Sequence, residues 1–127
     1  MQKYVVQIVG AFKTSDAVVM WDLYNEVGNS GYLVSSLPLV TKAFEWARSA
    51  NPTQPLTSGR WNGDASFDLI NEFILRESDV ITFHAYCDVS CTKSEIDRLR
   101  SKLLLIKNTI DQSSAPNIWR DLVIQSL

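Results

Sequence analysis

The sequence predicts an α/β fold in which parallel strands alternate with helices, and three observations predict it. Apolar residues recur at helical spacing in three separate stretches. Short β-branched and aromatic runs, bounded by turn residues, follow each of them. The resulting order, helix, strand, helix, strand, helix, strand, is that of βαβ units, whose crossovers make neighbouring strands parallel.

The first helix is expected from about Gln2 to Lys13, where Tyr4, Val5, Ile8, Val9 and Phe12 form an amphipathic stripe. The polar turn "KTSDA" ends it, and Val18 to Leu23 reads as a strand buried on both faces. "NEVGNSGY" is a loop. A second helix is expected from about Ser36, with Ser36 as cap, Pro38 in the first turn, and Leu37, Val40, Phe44 and Ala47 on one face. "NPTQP" stops that helix, and Leu56 to Gly59 makes a second short strand before the polar loop "RWNGDAS". Asp64 or Ser66 suits the cap of a third helix carrying Phe67, Ile70, Phe73 and Ile74 and ending near "RESD". "VITFHAY", from Val80, is the third strand.

Composition narrows the function classes. The 127 residues carry a formal charge of -2 and 46% hydrophobic residues, values of an ordinary globular domain. No basic stripe with interleaved aromatics is present, so nucleic acid is not an expected partner. The longest apolar runs fall far short of the roughly 20 residues a membrane span needs, and the start, "MQKYVVQIVGAF", does not read as a signal peptide. Residues 1–92 hold six Lys and Arg against ten Asp and Glu, whereas residues 93–127 hold six against four. That change of sign separates the first 92 residues from a helical region followed by a divergent tail.

His84, Cys87 and Cys91 spell H-x-x-C-x-x-x-C, but zinc motifs normally pair a tight C-x-x-C with a second, distant pair. The plain expectation is two ordinary thiols and no metal, with a disulfide between them, and hence the redox compartment, left open.

In parallel α/β folds chemistry gathers at the carboxyl ends of the strands. Asn25 and Glu26 stand at the end of the first strand, Arg60 and Trp61 after the second, and His84 and Tyr86 at the end of the third. An acid, an amide, a guanidinium, an indole, an imidazole and a phenol on one rim suit a sugar. Aromatic faces stack on pyranose rings, amides and guanidinium groups bind hydroxyls, and a carboxylic acid can protonate a glycosidic oxygen. Each residue also has a plainer role open to it: Glu26 as a solvated loop acid, Trp61 as a packing aromatic, His84 as a hydrogen-bonded residue of the sheet edge.

"WDLYNEVGNSG" resembles the W-[DE]-x-x-N-E-P segment closing the fourth barrel strand of clan A retaining glycoside hydrolases, the family 5 enzymes that include cellulases and mannanases. "PLTSGRW" is similar to that family's fifth strand and "DVITFHAY" to its sixth, with its His-x-Tyr pair. The similarity covers roughly Gln2 to Asp88. It implies a partial (β/α)8 TIM barrel running from about helix 3 to helix 6, with residues 1–92 supplying strands 4 to 6 and residues 93–127 the helix 6 region and tail. It further implies hydrolysis of a β-linked glycan, with Glu26 as general acid/base, Asn25 on the sugar 2-hydroxyl, and His84 and Tyr86 lining the subsite around the nucleophile. Arg60 and Trp61 would line the groove, and no cofactor is implied. Val27 stands where the family has proline, a change expected to loosen Glu26.

A complete barrel has eight strands and about 250 residues, so the resemblance leaves barrel parts expected upstream and downstream. Family members are often exported, and an export signal would lie upstream of Met1. The family's nucleophile is a glutamate on the seventh strand, and no residue here matches it; Glu45, Glu72, Glu77 and Glu95 fall in helical stretches. Regrouping the codons of Gln112 to Val123 one nucleotide earlier permits Pro-Val-Ile-Cys-Thr-Glu-Tyr-Met-Ala-Arg-Leu-Gly, which resembles that strand. The expectation is a frameshift between about Arg100 and Asn108 and an inactive fragment. Two other readings stand beside it: a carbohydrate-binding or pseudoenzyme module using the same rim without chemistry, and a small flavodoxin-like domain binding a phosphate-bearing ligand.

Overall fold

A computed structural model describes the backbone of residues 1–111 and the side chains of residues 1–105. The expected frameshifted tail, 112–127, lies outside the described residues. The order is α1 (Gln2–Phe12), β1 (Trp21–Asp22), α2 (Leu37–Ser49), β2 (Leu56–Thr57), α3 (Asp68–Glu77) and α4 (Val89–Asp111). Short 3₁₀ turns at Asn29–Gly31, Leu33–Ser36 and Ala65–Phe67 join them. Among the described residues, no helix is long and apolar enough to cross a membrane.

The strands are parallel, as the alternation requires. β1 pairs with β2 in the register Trp21 to Leu56 and Asp22 to Thr57, held by Trp21 N–H donating to Pro55 (3.0 Å) and Leu23 N–H to Thr57 (2.9 Å). The third segment reduces to a parallel bridge between Arg60 and Phe83. There Arg60 N–H donates to Thr82 and His84 N–H to Arg60, at 3.0 and 2.8 Å. All three segments are shorter than their sequence runs predict, β2 included. The expectation that Val18 to Leu23 is buried on both faces fails: Val19 is 76% exposed and Asp22 is open to solvent.

Helices cover the sheet through the predicted faces. Val40, Phe44 and Ala47 of α2 meet Ile70, Phe73 and Ile74 of α3 around buried Leu56, with the Phe44 and Phe73 rings edge to face at 5.9 Å. Each fully buried aliphatic side chain of this set contributes about 1.5–3 kcal/mol. A second apolar cluster, Leu75, Ile81, Phe83 and Leu99, fixes α4 to the third segment. The α1 stripe is only half used, since Val9 is buried while Tyr4, Ile8 and Phe12 remain exposed.

The helix starts differ from expectation at two places. Ser36 occupies the N-cap position of α2, but its backbone is already helical and its hydroxyl makes no capping bond, so Pro38 alone marks the first turn. Asp64 caps the 3₁₀ turn Ala65–Phe67, accepting from Ser66 N–H at 2.8 Å, and α3 follows from Phe67 with no side-chain cap of its own. Asp88 opens α4 in the same way, accepting from Cys91 N–H (2.9 Å) and the Ser90 hydroxyl (2.8 Å). The same turn corrects the reading of the cysteines: Cys87 and Cys91 are joined in a disulfide. The helical turn at Asp88 brings the two sulfurs together, a proximity that spacing alone does not reveal, and it leaves His84 without thiolate companions.

Candidate active site

Glu26 lies directly past β1, in a turn whose backbone departs from ordinary geometry. Its φ is 50°, in the left-handed region, as are those of Gly28 (84°), Ser30, Gly31 and Leu33. A non-glycine residue held there carries strain on the order of 1–3 kcal/mol, and such strain gathers at functional sites. Gly28 is required twice over, by its φ and by space, because a Cβ would sit 2.9 Å from both Ile70 and Phe67. The turn is fixed from below by Val27, which is fully buried and whose carbonyl accepts from the Trp61 indole N–H at 2.9 Å. Burial and this bond tie the residue after Glu26 to the core and to the loop after β2.

The strained turn delivers the Glu26 carboxyl to the ends of the other segments. Oε2 accepts from Asn29 Nδ2 at 2.7 Å. Oε1 lies 3.0 Å from His84 Nδ1 and accepts from the Tyr86 hydroxyl at 3.3 Å. The His84 and Tyr86 rings stand edge to face at 6.0 Å. Three polar side chains, the donors Asn29 and Tyr86 and the His84 imidazole, therefore converge on one carboxyl, whose side chain is only 19% exposed. Partial desolvation, with the negative charge and the hydrogen bond of Glu26, pushes the phenol of the exposed Tyr86 above its ordinary pKa.

Asp22 belongs to the same strand end. Although solvent reaches it, enough protein surrounds its carboxyl that desolvation raises its pKa. The Tyr24 backbone, the His84 imidazole and the Gly59 backbone pull the other way without reversing the shift.

The rim residues named from sequence do not all meet. Glu26, His84 and Tyr86 come together. Asn25, adjacent to Glu26 in the chain, points to solvent and makes no hydrogen bond to any described residue. Trp61 is half-buried, bonded to Val27 and packed edge to face on Phe67 at 5.3 Å. Arg60 is buried beneath the rim, 3% exposed, and its guanidinium is paired with Glu95, which also takes two bonds from Arg98 at 3.0 Å. Burial holds the Glu95 carboxyl above the usual range. Sequence reasoning overlooked Asn29 and Asp22. Asn29 falls three residues past Glu26 in a loop where spacing predicts no contact, whereas Asp22 was within sight as the acid of the "WDLYNE" stretch.

Chemically, the cluster is a carboxyl that can be served in either protonation state. Asn29 and Tyr86 donate to it when ionised, and His84 can donate or accept according to its tautomer. A family model described as Cellulase (glycosyl hydrolase family 5) matches residues 1–126. No curated protein matches the chain.

Proposed function

Because the chain belongs to glycosyl hydrolase family 5, we propose that it carries the acid/base half of a retaining glycosidase acting on a β-linked glycan. The observation that carries this reading is the convergence of Asn29, His84 and Tyr86 on the Glu26 carboxyl at a strand end. Glu26 would give its proton to the glycosidic oxygen as the bond to the leaving sugar breaks. The resulting carboxylate would then take a proton from the water that releases the glycosyl-enzyme intermediate. Asn25, open to solvent beside it, would bind the sugar 2-hydroxyl, a bond that strengthens as positive charge develops on the ring. Tyr86 and His84 hold the acid and line the subsite. Trp61 supports the turn and offers its free edge to the groove, and Arg60 braces the loop from beneath.

In this reading residues 1–92 are strands 4 to 6 of a (β/α)8 barrel, and the opposing carboxylate, needed about 5 to 5.5 Å from Glu26, comes from a seventh strand encoded out of frame. The chain as written is then inactive, because an acid/base without its nucleophile forms no covalent intermediate. The disulfide supports an oxidising compartment for the parent enzyme. The flavodoxin-like alternative falls with family membership.

Two measurements test the proposal. The underlying DNA must allow a glutamate codon in the earlier frame across Pro116 and Asn117; if it does not, the frameshift is wrong. In the frame-corrected enzyme, Glu26→Gln should lower kcat on β-glycans by about 10²–10⁴-fold, with a smaller loss on aryl glycosides whose leaving group needs no proton. Equal rates for the two proteins would leave only the non-catalytic, sugar-binding reading.

A further inference from the structure

His84 is held from two sides, and only one of them is Glu26. Its Nδ1 faces Glu26 Oε1 at 3.0 Å. The opposite edge of the ring lies on Gly59: a Cβ built there would stand 3.0 Å from Nε2 and 3.3 Å from Cδ2, tighter than an imidazole tolerates without moving. The backbone does not ask for glycine at this position, since the φ of Gly59 lies outside the left-handed region. What the missing methyl accommodates is the ring. Neighbouring bonds keep the ring from drifting: His84 N–H donates to Arg60, the residue after Gly59, at 2.8 Å. Below, the Thr57 and Thr82 hydroxyls pair at 2.9 Å.

We propose that Gly59 is a positioning residue for His84: its bare Cα admits the ring so that Nδ1 reaches Glu26 Oε1. From there Nδ1 accepts from the acid when Glu26 is protonated and donates to it when Glu26 is ionised, the tautomer following the acid. The assignment rests on the reading of Glu26 as the acid, but its test does not require turnover.

His84 is the single histidine of the 127 residues, so the ¹⁵N imidazole spectrum of the full chain at mildly alkaline pH contains His84 alone. Glu26→Gln should shift the Nδ1 resonance in the otherwise native chain and leave it unmoved in the Gly59→Ala background, where the ring has been pushed away. Gly10→Ala, at a position with nothing within 4 Å of the added methyl, should preserve the response. The proposal is overturned if Glu26→Gln shifts Nδ1 equally in both backgrounds, or if the native and Glu26→Gln spectra coincide. Should Gly59→Ala fail to fold, the native and Glu26→Gln spectra decide. Full glycan hydrolysis by the frame-corrected Glu26→Gln enzyme, beside an imidazole that responds as described, would refute the acid assignment and leave the positioning intact.

Discussion

Replacing Trp61 with phenylalanine separates two roles that the sequence could not. As a sugar platform, Trp61 would lose little, because phenylalanine still offers a ring face. As the donor to Val27, it would lose its function outright, because the Val27 carbonyl is fully buried and has no other donor among the described residues. Stranding a buried carbonyl costs about 1–3 kcal/mol, while phenylalanine keeps most of the edge-to-face packing on Phe67. At about 3–4 °C per kcal/mol for a chain of this size, Trp61→Phe should lower Tm by roughly 3–12 °C and the denaturant midpoint in proportion, with the m-value unchanged. The effect should also reach the acid, since Val27 is the next residue after Glu26: the imidazole resonance of His84 should broaden or shift. A variant with native Tm and native His84 signals would refute the reasoning and return Trp61 to the groove wall.

Three further outcomes follow from the same structure. Glu95→Gln leaves the buried Arg60 guanidinium without its counter-charge and should cost about 3–5 kcal/mol in chemical denaturation; Arg98→Ala, removing a 40% exposed partner of the same acid, should cost less than about 1 kcal/mol. Reducing the disulfide, or replacing Cys87 and Cys91 by serine, opens a loop of five residues and should destabilise the chain by about 2 kcal/mol on the chain-entropy account, seen as a lower Tm under reductant. Asp88 has its pKa lowered in the folded state by the Cys91 backbone and the Ser90 hydroxyl. A depressed folded-state pKa contributes stability present above the unfolded value of about 3.9 and lost as pH falls through the folded value. Hydrogen-exchange protection factors at the first turn of α4 should therefore fall on acidification below that range, and Asp88→Asn should abolish the change.

The helices were legible because each buries its own apolar face: Val40, Phe44 and Ala47, or Ile70, Phe73 and Ile74, lie inside where their spacing put them. The strands were legible in position and direction but not in length. Strand length is a property of pairing, and the sequence run from Val18 to Leu23 carries no information about whether a partner stands on each side. The cysteines were misread for a related reason, because a separation of four residues permits a disulfide only when a helix start such as that at Asp88 bends the chain. Within the site, Glu26, His84 and Tyr86 could be placed on one rim from strand ends alone. Arg60 could not, since its direction is decided by Glu95, a helical residue 35 positions away.

The turn at Glu26 shows how far a local motif is completed by distant residues. A left-handed φ at Glu26 costs on the order of 1–3 kcal/mol. The offsetting contacts reach beyond Glu26 itself: Asn29 donates to the Glu26 carboxylate through its side chain and to the Glu26 carbonyl through its backbone, at 2.7 and 3.0 Å. Each such bond contributes about 1 kcal/mol, more where the acceptor is charged. Val27 is buried against the α3 side of the core, and Trp61 closes its carbonyl from the β2 loop. Together these are of the same order as the strain. Proline would stiffen the turn through its own ring, whereas here the turn is stiff only while β1, β2 and α3 are packed together. The geometry of the acid is thereby tied to the integrity of the fold: a substitution that loosens the Ile70 and Phe67 floor under Gly28 should disturb Glu26 before it unfolds the chain.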